Sequence, residues 1–370
     1  MTDQMSVRQT ACLCAISLLA LKLITLPSLL VQMSTSSAIL VAVIMFVADL
    51  FLLYIFLKIK EKYPNLTLYE LIQKIFGKII AKIVYIILFA LFILKIIMLN
   101  NEAISYMRDI VDEDFQIIVY FMSFLPVVIS LAYSGLKSTA RTCEFGFVFI
   151  FIGLIFCLFL SEITFTFGEM GPIFKEDINN ILNSCFNVGF WFSDFLFVTI
   201  LADKIKYQKN MKKIIFSFVI ITLLIVLALY VIYIRLFNVT AFLHKDAIAD
   251  ITQYNRNIGN SGNIDIIAIL VYMFIIFFQG AIYVTTAKTI YEKIVGYENK
   301  VHALIFITLC ILSLQLFVFY NLELIISFVF NYLKYMGIFA WIIIPLFYIG
   351  LLLFDKEKEN GMAKKKFKQN

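Results

Sequence analysis

The feature that most constrains this chain is its first apolar run, Arg8 to Met33, which carries Lys22 near its middle and Pro27 five residues later. The run is long enough to cross a bilayer, for which about 20 apolar residues suffice. A lysine at bilayer depth costs about 2.5–3.5 kcal/mol on insertion scales, and Lys22 lies far from both ends for its ammonium to reach an interface. Pro27 lacks a backbone donor and crowds the preceding turn. The carbonyl freed near Leu23 then needs a partner in protein or in a wet cavity. A broken helix with a charge at the break is the expectation; a plain proline kink with a snorkelling lysine is the alternative.

Such runs recur along all 370 residues, and a hydrophobic content of 62% with a mean hydropathy of +0.94 excludes an ordinary soluble domain. Ten spans are expected: 8–32, 37–57, 83–106, 115–133, 144–162, 184–202, 214–236, 263–287, 303–320 and 336–354. They form one all-α transmembrane domain, 1–354, followed by a basic tail, 355–370. The segment 321–335 is too apolar for a simple loop and too short to span, so a partial helix is expected there. With both termini cytoplasmic, 23 Lys and Arg fall on the inner side and 6 on the outer, the asymmetry that sets orientation in membranes. The net charge of +6 is thus a topology signal, not a nucleic-acid footprint. The cysteines lie in or beside apolar runs and read as small buried hydrophobes. With His244 and His302 far apart in the chain, neither a metal site nor a cofactor has a recognisable ligand set.

Between the second and third spans, YPNLTLYELIQKIFGK places Thr67 and Glu70 at capping-box spacing. A short helix starting there would lay Leu68, Leu71, Ile72, Ile75 and Phe76 on one face, resting on lipid at the cytoplasmic interface or docking a partner. In the sixth span, Gly189, Trp191 and Ser193 interrupt the aliphatic run just before Asp194, so this span is also expected to be broken.

Four ionisable residues fall near the centres of their spans: Lys22, Asp49, Lys95 and Asp194. Together they cost on the order of 10 kcal/mol to insert unless they pair or face water. Their matching depth and balanced sign predict one charge network in the bundle interior, a functional-site hypothesis by default, although a network that only fixes helix packing remains the alternative. Ten spans give two five-span halves of opposite orientation, so the sixth is the counterpart of the first. A charge and a helix breaker near the middle of each point to an inverted repeat with a site between two discontinuous helices.

Several short motifs occur in register: SVRQ at Ser6–Gln9, LP at Leu26–Pro27, the Tyr63–Lys78 stretch, GLKSTAR at Gly135–Arg141, and Ser193 followed by Asp194. In order and spacing the chain resembles the permease-like B-subunit family of spore germinant receptors, within the amino acid-polyamine-organocation transporter superfamily. The resemblance covers nearly the whole chain. It implies a leucine-transporter-like fold, with spans 1–5 and 6–10 as inverted repeats. A small germinant, usually an amino acid, would bind between the first, third, sixth and eighth spans. It also implies a larger A-type membrane subunit and a C-type lipoprotein as partners in the spore inner membrane. On this basis Lys22, Thr25, Pro27, Lys95, Phe190, Ser193 and Asp194 are the candidate substrate-binding residues. One departure stands out, because superfamily members often use glycines in the first span to offer bare amides to a substrate carboxylate. This chain has no glycine before Gly77. Lys22 stands about where such a glycine would be, able to partner a carboxylate or to replace a coupling cation.

No nucleophile–base pair or phosphate loop is present, so an enzyme is not expected. The readings in play are a germinant-sensing receptor subunit, an ion-coupled amino acid transporter, and a membrane scaffold.

Overall fold

The computed structural model describes residues 4–34, 37–110, 117–160, 177–244, 247, 250–251, 264–320, 332–342 and 345–352. The first span is three pieces: α1 (Val7–Ser17), α2 (Ala20–Leu23) and α3 (Thr25–Met33). Then come α4 (Ala38–Lys62), α5 (Leu68–Phe76), α6 (Lys78–Ile110), α7 (Ile117–Tyr133) and α8 (Leu136–Leu160). The sixth span is α9 (Ile178–Val188), a 3-10 turn Gly189–Phe192, and α10 (Leu196–Ile200). After it run α11 (Met211–Phe237), α12 (Ile264–Val295) and α13 (Lys300–Tyr320), and last an apolar helix, α14 (Tyr332–Leu352).

Seven of these helices (α4, α6, α8, α11, α12, α13 and α14) are long and apolar enough to cross a membrane, and the bent first span makes an eighth. The 17-residue α7 and the interrupted segment from α9 to α10 take the fourth and sixth places. The protein is an integral, multi-pass membrane protein, and its outer surface agrees with that. Val47, Phe51, Ile79 and Phe159 are at least 60% exposed, a pattern suited to lipid and not to water. The basic tail, most of 321–335 and much of the 237–262 loop lie outside the described residues.

Packing places α12 at the centre, against α6, α7, α8 and α13. Two-thirds of its apolar window (67%) is buried, against 28% for α13 and 25% for α14, which therefore sit at the periphery. Small residues allow the close approaches. A Cβ on Gly146 would meet the Phe278 ring at 2.1 Å, and one on Gly153 would meet Val271 at 2.1 Å.

Local chemistry explains the short motifs. Ser6 and Gln9 form a reciprocal capping box at the start of α1, with Gln9 N–H donating to Ser6 Oγ (3.2 Å) and Ser6 N–H to Gln9 Oε1 (2.9 Å). Thr67 and Glu70 do the same for α5, as expected, and Gly77 ends it at φ 86°. Gly135, at φ 95°, makes the turn into α8, where Thr139 Oγ1 donates to the Leu131 carbonyl at 2.6 Å. The α5 face differs from expectation. Leu68, Tyr69, Leu71 and Ile72 are buried in protein, with Tyr69 edge-on to Tyr85 of α6 at 4.9 Å. Phe76 is left outward, 47% exposed, so α5 is a bracket on the bundle more than a float on lipid.

At this terminal face Met5 pairs with the chain just after α10: its N–H donates to the Lys204 carbonyl (2.8 Å) and its carbonyl accepts from Lys206 N–H (3.0 Å). Lys60, one of the 23 Lys and Arg expected on the inner side, is buried and donates to the carbonyls of Pro64 and Ala202.

Candidate functional site

The first span breaks at Ile24 (φ −101°, ψ −81°), with a 56° bend between Val7–Leu23 and Thr25–Met33. Pro27 is not an interior kink. It is the third residue of α3, in the first turn, where a helix has no intrahelical use for the missing N–H. The Ile24 carbonyl accepts from Ala247 N–H at 3.3 Å, and Tyr230 of α11 donates its hydroxyl to the Lys22 carbonyl. Backbone groups freed by the break thus find protein partners, as the apolar surroundings require.

The sixth span opens at Gly189–Phe192 and turns through Ser193 and Asp194 before α10. Its Phe190 carbonyl accepts from Lys95 Nζ at 2.9 Å and from Ser193 Oγ at 3.2 Å. Gly337 of α14 lies directly on this break, since a Cβ there would stand 2.4 Å from the Phe190 nitrogen and 2.6 Å from the Gly189 carbonyl carbon.

The two breaks meet through Asp194. Its Oδ2 receives Lys22 Nζ at 2.6 Å, and its Oδ1 receives Lys95 Nζ at 2.6 Å and the Tyr283 hydroxyl at 2.6 Å. Asp49 of α4 stands one step away, its Oδ2 3.7 Å from Lys22 Nζ. All four charged side chains are at most 1% exposed. Phe192 lies 5.3 Å from Lys22 Nζ and Phe190 4.9 Å from Lys95 Nζ, measured to ring centroids, which adds cation–π attraction. Buried ions are costly to desolvate, and a cluster of this kind is tolerable because nearly every charge has an opposite charge and further donors around it.

The structure therefore brings together Lys22, Lys95, Phe190, Ser193 and Asp194, with Asp49 close by. Thr25 turns elsewhere and donates to Glu102 Oε1 of α6 at 2.6 Å. Pro27 is buried in α3 and offers no polar contact. Sequence reasoning missed Tyr283, Tyr230 and the position of Glu102. The polar pair Gln279–Gly280 inside the eighth apolar run was the available signal for the Tyr283 face. Among the described residues no group of three or more His, Cys, Asp or Glu could hold a metal ion, and all six cysteines are unbridged. The arrangement joins four spans through one carboxylate.

Fold and site together define a polytopic membrane protein with a transporter-type fold, with the charged breaks of two discontinuous helices joined at its centre. The chain belongs to the spore germination protein family, whose sequence profile matches residues 4–322. Among solved structures it is similar to a Na+-coupled sialic acid symporter captured in a substrate-bound outward-open state, with a TM-score of 0.52 and 11% identity over 95% of this chain and 75% of the symporter. At that identity the likeness speaks for fold alone. Comparison with curated protein sequences gives no match.

Proposed function

We propose that this chain is the ligand-sensing membrane subunit of a spore germinant receptor, not an enzyme. It binds a small germinant, an amino acid in the first instance, between the two breaks. It sits in the spore inner membrane with both termini cytoplasmic, beside an A-type membrane subunit and a C-type lipoprotein. One observation carries this reading: the ion pair Lys22–Asp194 joins the two discontinuous helices directly, so a ligand that competes for either partner has differential affinity for joined and separated arrangements. Such a ligand shifts their population. A fixed ammonium at the first break also does without a mobile coupling cation, which favours sensing over turnover.

Spores carrying Lys22→Ala or Asp194→Asn are expected to lose their germinant response while the protein remains in the membrane. The purified wild-type protein in liposomes is expected to show no uptake driven by a sodium or proton gradient. A second reading, an ion-coupled amino acid transporter, is compatible with the same fold. Gradient-driven accumulation that disappears with Lys22→Ala would establish that reading in place of the first.

A further inference from the structure

On the face of the molecule where α1 begins, α5, the start of α6, the turn after α10 and the end of α12 line a cavity of about 400 Å³, to which no residue around Asp194 contributes. Lys204 is tied to that face by its carbonyl, which accepts from Met5 N–H. Of the acids in the lining, Glu70 has Lys293 at 3.3 Å and Glu292 has Lys288 at 3.9 Å. Glu298 is exposed on the turn past Gly296. Lys78, Lys82 and Lys204 line the same cavity, and among the described residues none of the three has a carboxylate within 4.0 Å. Three ammoniums around one cavity without a close counter-ion favour an anion there.

Asp203 adds a second requirement. Its Oδ1 is buried and in hydrogen-bonding geometry with nothing. Lys60, the nearby buried cation, gives its ammonium to the Pro64 and Ala202 carbonyls instead. A buried carboxylate oxygen in that condition calls for a donor, so the occupant carries a hydroxyl or N–H as well as an anion. The surroundings separate lipid from solvent. On α6, Ile79, Ile83 and Ile86 follow at i, i+4 and i+7, each more than half exposed, a stripe that faces acyl chains in a bilayer. Lys78 and Lys82 sit one turn apart beside that stripe, where a headgroup lies when its chains run along it. Basic pockets between spans at a membrane surface hold anionic headgroups in this way.

We propose that this cavity binds the headgroup of an anionic glycerophospholipid, its phosphate against Lys78, Lys82 and Lys204 and a headgroup hydroxyl donating to Asp203. Phosphatidylglycerol is the simplest lipid with both groups. The site is independent of the ligand-binding reading above.

The test is competition for fluorescently labelled phosphatidylglycerol bound to the purified full-length protein in detergent. Unlabelled phosphatidylglycerol is expected to compete at least about 10-fold better than phosphatidylcholine with the same chains, and soluble glycerol phosphate is expected not to compete at the same concentrations. Lys78→Gln combined with Lys82→Gln should weaken phosphatidylglycerol by about 10- to 30-fold, while Lys209→Gln combined with Lys213→Gln, a change of two exposed lysines, leaves it unchanged. Asp203→Ala should shift the preference toward phosphatidic acid, which lacks the headgroup hydroxyl, by about 10-fold. Phosphatidylcholine or soluble glycerol phosphate competing as well as phosphatidylglycerol, equal losses from the two lysine pairs, or a preference that Asp203→Ala leaves intact would each overturn the inference.

Discussion

The two broken spans solve the same problem with different chemistry. In the first, the interruption is short, a bend at Ile24, and its freed groups are met by neighbours: Ala247 N–H on the Ile24 carbonyl, the Tyr230 hydroxyl on the Lys22 carbonyl, and Glu102 beside Thr25 at the new helix start. In the sixth, the interruption is longer, a 3-10 turn and a bend before a five-residue helix, and its carbonyl is met by a charged side chain, Lys95. The first break supplies the cation and the sixth the shared acid. They are therefore unequal: Asp194 has three donors from three spans, whereas Lys22 has one close acid and a second at 3.7 Å.

That inequality orders the expected effects of mutation. Asp194→Asn leaves Lys22 and Lys95 buried without their close counter-charge and should cost about 3–5 kcal/mol, the range for breaking a buried pair. Thermal unfolding in detergent should show Asp194→Asn as more damaging than Lys22→Met, because Asp194 keeps Lys95 and Tyr283 in the latter; equal losses would erase the asymmetry. At the first break, Thr25→Val leaves the buried Glu102 carboxyl without the hydroxyl donor on its Oε1, a loss of about 1–3 kcal/mol. The same melting assay reads that loss, and an unchanged midpoint would mean that Glu102 does not anchor α3. Against the sixth break, Gly337→Ala puts a Cβ 2.4 Å from the Phe190 nitrogen and should cost about 1–3 kcal/mol by overpacking. A variant as stable as wild type would show that α14 yields instead of the break.

The smallest effect lies outside the membrane spans, at Glu70 of α5. Burial there pushes the carboxyl up, but the Thr67 N–H and Lys293, whose ammonium is 3.3 Å away, more than offset it and hold the group below its usual range. A depressed pKa means stability that is present above the unfolded value of about 4.3 and lost as pH falls through the folded one. The Glu70 side chain is 40% exposed, so after solvent screening the pair is worth less than about 1 kcal/mol. Lys293→Gln should flatten that acid limb slightly and leave the neutral-pH midpoint nearly unchanged in a pH series of melts.

Much of this was legible in the chain because charge is rare in an apolar run and stands out there. Lys22, Asp49, Lys95 and Asp194 were visible for that reason, and the capping box of Thr67 and Glu70 was visible because its spacing is local. Tyr283 carried no such signal, being one of 19 tyrosines in a chain rich in aromatics. Glu102 falls near the end of the span that hydropathy alone bounds at 83–106; the helix runs on to Ile110, which puts Glu102 two turns inside. Pro27 was given the role of the break because a proline in a helix interior would make one. The break in fact falls at Ile24, and no residue preference marks that position. Partners 77 and 172 residues apart, such as Thr25 with Glu102 or Lys22 with Asp194, depend on the fold, which local patterns do not encode.

The central claim is that one ion pair joins the two breaks, and a double-mutant cycle on Lys22 and Asp194 tests it most directly. With Lys22→Met, Asp194→Leu and the pair of changes together, unfolding free energies in detergent should show a coupling of at least about 1.5 kcal/mol, with the double variant less damaged than the sum of the singles. Losses that add within about 0.5 kcal/mol would mean that the two residues do not interact and that the breaks are not joined through them.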